Sequence, residues 1–238
     1  MSAIDANAIE ATRAIVASYN IHGGVGIDRR FNPERIARVI AELGADVVAL
    51  QEVVSGSRAF DLLEYLADAT GFRAISGPAM RLASGDFFGN AMLTRFPVLS
   101  VAHCPLGIDR REPRAALAVD LDRSGAHLRV VTAHLGLRSD ERCRQIAQLL
   151  GFVRTLPAMP TVLTGDINEP RKRCPALLPL HAHFGSVAAP PTFPALLPLL
   201  ALDRAWVSPA SSCASVHVHK SRRARIASDH LPLVVTLR

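Results

Sequence analysis

Residues 14–53, AIVASYNIHGGVGIDRRFNPERIARVIAELGADVVALQEV, hold two apolar runs separated by a helical pattern. Residues 14–19 and residues 46–53 each predict a buried strand, because apolar and β-branched residues dominate both runs. Asn32 and Pro33 are typical of the cap and first turn of a helix, and apolar residues follow at a spacing of three to four. This order of strand, helix and strand favours parallel pairing in a sheet that helices cover.

A second strand–helix–strand unit is predicted at residues 127–166, with Ser139 as the cap of a helix that runs to about Leu156. A further helix is expected over residues 58–70. Short strand-like runs in the middle of the chain indicate antiparallel pairing; they lie near residues 72–76, 88–94, 98–103, 115–122 and 127–133. Further strands are predicted near residues 203–207, 214–219 and 231–237. We therefore expect one domain over residues 1–238, with residues 1–13 as an N-terminal extension and two packed sheets carrying helices outside.

Composition excludes several classes of protein. With 49% hydrophobic residues and a net charge of +6, the chain is not intrinsically disordered. The most apolar stretch, residues 176–202, is interrupted by five prolines, so no membrane span is predicted. The N-terminus lacks the apolar core of a signal peptide, and the 4 cysteines are scattered without a CxxC pair. These features indicate a cytoplasmic protein with no stable protein partner.

The basic residues leave two interpretations open. Among the 27 basic residues only Lys172 and Lys220 are lysine, and arginine suits phosphate because of its planar, forked geometry. Basic clusters occur at residues 110–114, 171–173 and 220–225. They indicate either a phosphate-bearing partner or a compositional bias spread over the surface.

Polar residues interrupt the predicted strands at their ends. In α/β sheets, ligands bind at one rim, beyond the ends of the strands. A lone acid at such a place is ordinarily a loop residue. Here a whole set of carboxylate, amide and imidazole groups lies at predicted strand ends: Asn20, Glu52, His134, Asp166, Asp203, Asp229 and His230.

The chemistry of this set points to phosphate-ester hydrolysis. Oxygen donors of the kind preferred by Mg²⁺ or Mn²⁺ come from Asn20, Glu52, Asp166, Asn168 and Asp229. No His/Cys spacing typical of zinc occurs. His134 and His230 could donate to phosphate oxygens. A divalent cation, a carboxylate that activates water and imidazole donors together predict a hydrolase of phosphate esters.

Seven motifs in order along residues 19–234 resemble those of the endonuclease/exonuclease/phosphatase (DNase I-like) superfamily, in particular a bacterial branch of metal-dependent hydrolases. They are SYNIH, ALQEV, GNAML, TAHLGL, LTGDINEP, LLALDRAWV and IASDHLPLV. The resemblance implies an α/β fold, a four-layer α/β/β/α sandwich with two packed mixed β-sheets.

The resemblance also implies roles for individual residues. Glu52 is the principal Mg²⁺ ligand, helped by Asn20, with Asp229 beside the metal. Asp166 orients or deprotonates the attacking water, and Asn168 holds the phosphate or the nucleophile. His230 contacts the phosphate.

Further roles follow in the same way. Asp203 orients His230, and His134 is a second histidine that faces the phosphate. Asn90 and Arg114 are implied as substrate-binding groups. His22 is a further candidate for substrate binding from its place in the sequence, with a turn residue as the alternative. The sequence departs from the family pattern at His22, where an acid is common, and it has only 12 aromatic residues to stack on bases.

We therefore expect a Mg²⁺-dependent phosphodiesterase in which Asp166 activates water, with Mn²⁺ as a substitute. Nucleic acid, a phospholipid head group or a small phosphodiester could each be the substrate. Two alternatives stay open. One is a phosphomonoesterase or lipid phosphodiesterase, and the other is a catalytically idle module that binds nucleic acid or lipid.

Overall fold

The computed structural model describes residues 13–238 except 58, 172–173 and 186–187, so residues 1–12 of the expected N-terminal extension lie outside it. The strands are β1 Ala14–Asn20, β2 Val47–Ser55, β3 Arg73–Arg81, β4 Phe87–Thr94, β5 Val98–Pro105, β6 Ala115–Arg123, β7 Ala126–His134, β8 Thr161–Asp166, β9 Asp203–Ser208, β10 Cys213–Val218 and β11 Leu233–Leu237. The helices are α1 Pro33–Glu42, α2 Leu62–Thr70, α3 Ser139–Thr155, α4 Leu178–Phe184 and α5 Ala224–Ala227.

These strands form two mixed sheets. The six-stranded sheet has the order β10-β11-β1-β2-β4-β3, and the five-stranded sheet has the order β5-β6-β7-β8-β9. The two parallel pairs, β1 with β2 and β7 with β8, are the two predicted strand–helix–strand units. Every other pairing of the named strands is antiparallel, as expected for the middle of the chain.

Apolar side chains fill three interfaces between four layers. Helices α1 and α2 cover the outer face of the six-stranded sheet, where Ile36, Leu50 and Leu66 are buried. Side chains such as Met92 and Leu117 fill the space between the sheets, and α3 and α4 cover the second sheet. The α/β/β/α sandwich is therefore confirmed. No helix in the described ranges is both long enough and apolar enough to cross a membrane.

Two predicted helix starts were wrong. Helix α3 begins at Ser139 itself, and Arg138 occupies the cap position without a side-chain cap. Helix α2 begins at Leu62 rather than near residue 58, which lies outside the described part, and Asp61 caps it by accepting from two backbone N–H groups. The cap of α1 is as predicted, since Asn32 Oδ1 accepts from Arg35 N at 3.2 Å.

Gly165 brings β8 unusually close to β7. Its φ of +146° is disfavoured for residues with a side chain. A Cβ at this position would lie 2.0 Å from the carbonyl oxygen of Ala133. The glycine therefore lets Asp166, the next residue, sit directly beside the end of β7.

We expect Gly165→Ala to lower the free energy of unfolding by about 1–3 kcal/mol, because it adds backbone strain and a steric clash. Chemical denaturation followed by circular dichroism measures the change. Gly151→Ala is the matched control: Gly151 lies in α3 with nothing within 4 Å of its Cβ position, so this variant should be neutral or more stable. Equal stability of both variants would contradict the steric argument.

Candidate active site

Strand register aligns the catalytic candidates in one row. His134 pairs with Asp166 across β7 and β8, and Asp166 pairs with Asp203 across β8 and β9. Paired residues in register point to the same face of a sheet. In the other sheet, Asn20 ends β1 and reaches Asp166 across the gap between the sheets. The polar strand ends therefore meet at one rim of the sandwich, as the sequence pattern predicts.

A cavity of about 480 Å³ opens at this rim. Its lining combines polar and charged side chains with apolar ones. The polar and charged lining residues are Glu52, Glu112, Arg114, His134, Asp166, Asn168 and His230, and the apolar ones are Phe88, Leu137, Phe193 and Leu202.

Asp166 lies at the centre of this arrangement and is only 1% exposed. Its Oδ1 accepts from the backbone N of Asn168 at 3.0 Å, and its Oδ2 accepts from Asn20 Nδ2 at 3.1 Å. The Nε2 atoms of His134 and His230 lie 3.5 and 3.7 Å from the same Oδ2. Surrounding donors thus hold the carboxylate in one orientation.

Asn20 links the two principal carboxylates. Its Nδ2 donates to Glu52 Oε1 at 2.9 Å as well as to Asp166, while its Oδ1 accepts from the backbone N of His22 at 3.0 Å. In this orientation the amide nitrogen, rather than the oxygen, faces the carboxylates. Asn20 therefore holds Glu52 and Asp166 at a fixed separation.

Glu52 lies at an irregularity in β2. The pairing of β2 with β4 shifts between Leu50 and Val53, and Glu52 has a left-handed φ of 58°. A non-glycine residue in that region carries backbone strain of about 1–3 kcal/mol, which is typical of functional sites. The irregularity turns the Glu52 side chain into the cavity instead of leaving it on the regular pleat.

The pKa of Glu52 is raised above its ordinary value. Burial is the main cause, the nearby carboxylates of Asp229 and Asp166 add to it, and the hydrogen bond from Asn20 opposes it. Carboxylates that lie close together are a favourable site for a divalent cation, because the cation relieves their repulsion. Glu52 and Asp229 thus fit the oxygen-rich metal site that the sequence predicts.

His230 is held in its charged form. Its Nδ1 lies 2.8 Å from Asp203 Oδ2, and Thr192 Oγ1 donates to the same oxygen at 2.5 Å. Burial alone would lower the pKa of His230, but Asp203 and the other nearby carboxylates outweigh it and raise the pKa to about 10. The ring is therefore an imidazolium whose Nε2–H faces Asp166.

His134 is held in its neutral form. Burial, assisted by Arg114 and His230, lowers its pKa to about 4 against the opposing effect of Asp166. Arg114 Nη1 lies 2.9 Å from His134 Nδ1. A guanidinium only donates, so Nδ1 accepts and the ring proton resides on Nε2, towards Asp166.

Asp166, Asp203 and His230 have donor atoms within 4.8 Å of one another, a spacing that could suit a metal. However, Asp203 Oδ2 already accepts from Thr192 and His230. We therefore interpret this buried group as a hydrogen-bonded chain that orients His230, and we place the metal candidates on the Glu52 side of the cavity.

The remaining predicted residues lie at different distances from the cavity. Asn168 lines it, with a left-handed φ of 54°, and its Nδ2 donates to Leu135 O at 2.9 Å. Asn90 is buried in β4 and donates to Ala115 O at 2.6 Å, so it ties the two sheets together. The ring of His22 contacts the carbonyl of Val25 in its own turn rather than the cavity.

Two of the basic groups predicted to lie beside a phosphate are engaged elsewhere. Arg114 lines the cavity, but its Nη1 contacts His134 and its Nη2 donates to Glu112 at 3.2 Å. Arg171 pairs with the buried Glu169 at 2.8 Å, and its neighbours 172–173 lie outside the described residues. Neither arginine therefore offers a free pair of terminal nitrogens to a substrate.

Sequence reasoning did not identify the residues that support the loops around the site. Arg142 donates to Leu137 O at 2.6 Å and to Glu169 at 2.8 Å, while Gln145 Oε1 accepts from Gly136 N at 2.7 Å. Helix α3 thereby fastens the loops that follow His134 and Asp166. The ER..Q spacing in α3 was the available signal, since it places both side chains on one helix face.

Comparison with known proteins agrees with this fold. Residues 17–230 match the sequence model of the Endonuclease/Exonuclease/phosphatase family. The uncharacterized protein YbhP of Escherichia coli K12 is 31% identical, over 92% of this chain and 93% of its own length. The chain belongs to the endonuclease/exonuclease/phosphatase family, whose members are phosphoric ester hydrolases.

Solved structures show the same fold. An endonuclease/exonuclease/phosphatase family protein of Bacteroides thetaiotaomicron has a TM-score of 0.78 at 20% identity, covering 95% of this chain and 97% of its own. A mannosyl-6-phosphatase of Bacteroides thetaiotaomicron has a TM-score of 0.75 at 18% identity, covering 93% and 98%. At these identities the likeness concerns the fold alone.

The two site histidines should not titrate near their usual pKa. With pKa values of about 4 for His134 and about 10 for His230, neither ring changes charge between about pH 5 and 9. Because the pKa of His230 is raised, its pairing stabilises the fold below the unfolded value of 6.5, and that contribution is lost as pH rises through about 10.

Nitrogen-detected NMR of histidine-labelled, metal-free protein tests this expectation, with His134→Gln and His230→Gln for assignment. Asp203→Asn should lower the pKa of His230, because it removes the anionic partner. A His230 ring that titrates near pH 6.5 in the unsubstituted protein would show that the Asp203 contact does not hold the charge.

Proposed function

We propose that the protein is a divalent-metal-dependent phosphodiesterase in which Asp166 activates the attacking water. The observation that carries this proposal is the convergence of neutral His134 and charged His230 on the Asp166 carboxylate at the floor of the cavity. A carboxylate held among donors can accept a proton from a bound water. The two Nε2–H groups can then donate to phosphate oxygens as charge develops on them.

The asymmetry of the two histidines supports different roles. His230 carries a full positive charge fixed by Asp203, so it stabilises negative charge on the phosphate directly. His134 donates a neutral hydrogen bond, with its tautomer set by Arg114. Asn168, held by Leu135 and Asp166, presents its remaining amide oxygen and nitrogen positions at the edge of the same cavity.

The charges at the cavity favour a diester over a monoester. A phosphodiester carries one negative charge, whereas a monoester carries about two near neutral pH. The lining includes the three acids Glu52, Glu112 and Asp166. Against them stand the charged His230 and Arg114, and the terminal nitrogens of Arg114 are already engaged. The smaller charge of a diester therefore suits this cavity better.

Glu52 and Asp229 are the residues proposed to hold Mg²⁺ or Mn²⁺, with Asn20 beside them. Such a cation would supply Lewis-acid stabilisation of negative charge on the phosphate. The chain's own contribution is to keep Glu52 turned into the cavity through the β2 irregularity and to keep it apart from Asp166 through the Asn20 amide.

Asp166→Ala should lower the rate of phosphodiester hydrolysis about 10²–10⁴-fold, because it removes the group that accepts the water proton. Release of nitrophenolate from bis(p-nitrophenyl) phosphate measures the rate, and p-nitrophenyl phosphate serves as the monoester comparison. Asp68→Ala, at an exposed position of α2, is the control and should keep full activity. Full metal-dependent turnover by a folded Asp166→Ala variant would refute the mechanism.

Mg²⁺ or Mn²⁺ should raise the Tm of the protein, because a ligand that binds only the folded state stabilises it, and EDTA should reverse the effect. Glu52→Gln should abolish the rise while leaving the metal-free protein at least as stable, since it removes a buried, repelled carboxylate. Glu64→Gln, on the exposed side of α2, is the matched control. An unchanged metal response in Glu52→Gln would place the cation elsewhere.

A further inference from the structure

A loop of unusual composition projects from the wall of the cavity. Residues 193–202, FPALLPLLAL, contain no polar side chain. We call this segment the leucine loop. Its first and last residues, Phe193 and Leu202, line the cavity, and the Phe193 ring packs 4.9 Å from the ring of His230. The loop is thus continuous with the candidate active site.

Backbone hydrogen bonds close the base of the leucine loop, whereas the leucines at its tip face solvent. Phe193 N donates to Leu200 O at 3.1 Å, and Leu200 N donates back to Phe193 O at 2.8 Å. Between them Leu196, Leu197 and Leu199 are 58%, 66% and 68% exposed. Contiguous exposed leucines on a fixed loop are unfavourable in water and typically mark an interaction surface.

A basic segment supports this loop. Arg225 Nη1 donates to Leu196 O at 2.6 Å and to Ala195 O at 3.3 Å. The same segment, KSRRAR at residues 220–225, contains no acid, and Lys220 and Arg222 are exposed. Ile226, which follows it, is also exposed and adds to the apolar surface. Exposed apolar side chains beside basic ones favour binding to an anionic lipid surface, because the apolar groups enter the interface and the basic groups attract lipid phosphates.

We propose that the leucine loop, together with the basic segment 220–225, docks the protein on an anionic lipid surface. Leu196, Leu197 and Leu199 enter the boundary between head groups and acyl chains. The exposed Lys220 and Arg222 meet lipid phosphates, since Arg223 pairs with Glu42 and Arg225 holds the loop backbone. Docking in this orientation presents the cavity to lipid head groups. The phosphate ester hydrolysed is then carried by a lipid, and this second step rests on the proposed function.

Co-sedimentation of the full chain with phospholipid vesicles tests the docking. The protein should sediment with vesicles of equimolar phosphatidylcholine and phosphatidylglycerol and much less with phosphatidylcholine alone, and added salt should weaken binding. Combined Leu196→Ser, Leu197→Ser and Leu199→Ser should weaken binding about tenfold or more. Wild-type protein that stays in the supernatant with anionic vesicles would overturn the proposal.

A matched control removes three other exposed apolar side chains, through combined Leu99→Ser, Val101→Ser and Leu178→Ser. This variant should bind vesicles like the wild type, and circular dichroism verifies that both triple variants fold. Equal loss of binding in both variants would overturn the assignment to the leucine loop. A different result would assign the loop to contact with a second copy of the chain instead. In that case the wild type would not bind vesicles, and it would self-associate without them in a way that only the leucine-loop variant loses.

A fluorescent reporter gives a second measurement. The sole tryptophan, Trp206, is buried, so Leu197→Trp adds a single exposed indole. Its emission should shift to shorter wavelength on addition of anionic vesicles, and an unshifted spectrum would contradict insertion. Asp166→Ala should dock like the wild type, so that failure of docking and failure of the proposed catalysis are observed separately.

Discussion

The position of the Asp166 carboxylate is the constraint on which the site depends. It ends a buried strand, and its immediate neighbours in the sheet are His134 and Asp203. Across the gap between the sheets, Asn20 holds its second oxygen. A buried carboxylate is costly unless donors surround it, so the ends of four strands must meet here for the fold to tolerate it. The strand register that provides donors to the buried Asp166 carboxylate is therefore the same register that assembles the site.

Several residues near that carboxylate have strained backbone angles, and neighbouring elements hold them in place. Glu52, Asn168 and His22 all have left-handed backbone angles. Glu52 lies at the irregularity of β2, and His22 and Asn168 follow the ends of β1 and β8 by two residues. Such conformations persist only where the surrounding structure determines them. The paired sheets provide that support on one side, and the contacts of α3 with the loops after His134 and Asp166 provide it on the other.

Much of the architecture could be predicted because apolar runs and their breaks are local signals. The two strand–helix–strand units and the polar ends of their strands are confirmed, and the clustering of those ends follows from register. The four-layer arrangement came from the resemblance of the motifs to a family. Of the two predicted caps, Asn32 is confirmed and Ser139 is wrong. Ser139 begins its helix instead of capping it, since helix ends depend on backbone geometry that composition does not specify.

Other features depend on contacts between distant parts of the chain and had no local signal. Arg114 sets the tautomer of His134, and Thr192 donates to Asp203, yet neither partner could be identified from spacing. The irregularity at Glu52 arises from pairing with β4. The apolar character of residues 193–202 was visible in the sequence, but their exposure was not, because burial is a property of the folded chain.

The two sheets also couple catalysis to the completion of folding. Ser228 Oγ donates to Asn20 O at 2.8 Å, although these residues are 208 positions apart. β11, just after His230, pairs with β1, which ends at Asn20. Contacts of such long sequence separation form slowly, since closing large loops costs chain entropy. A partly folded chain therefore lacks an assembled site, and recovery of hydrolysis during refolding would report the last long-range pairing rather than the first collapse.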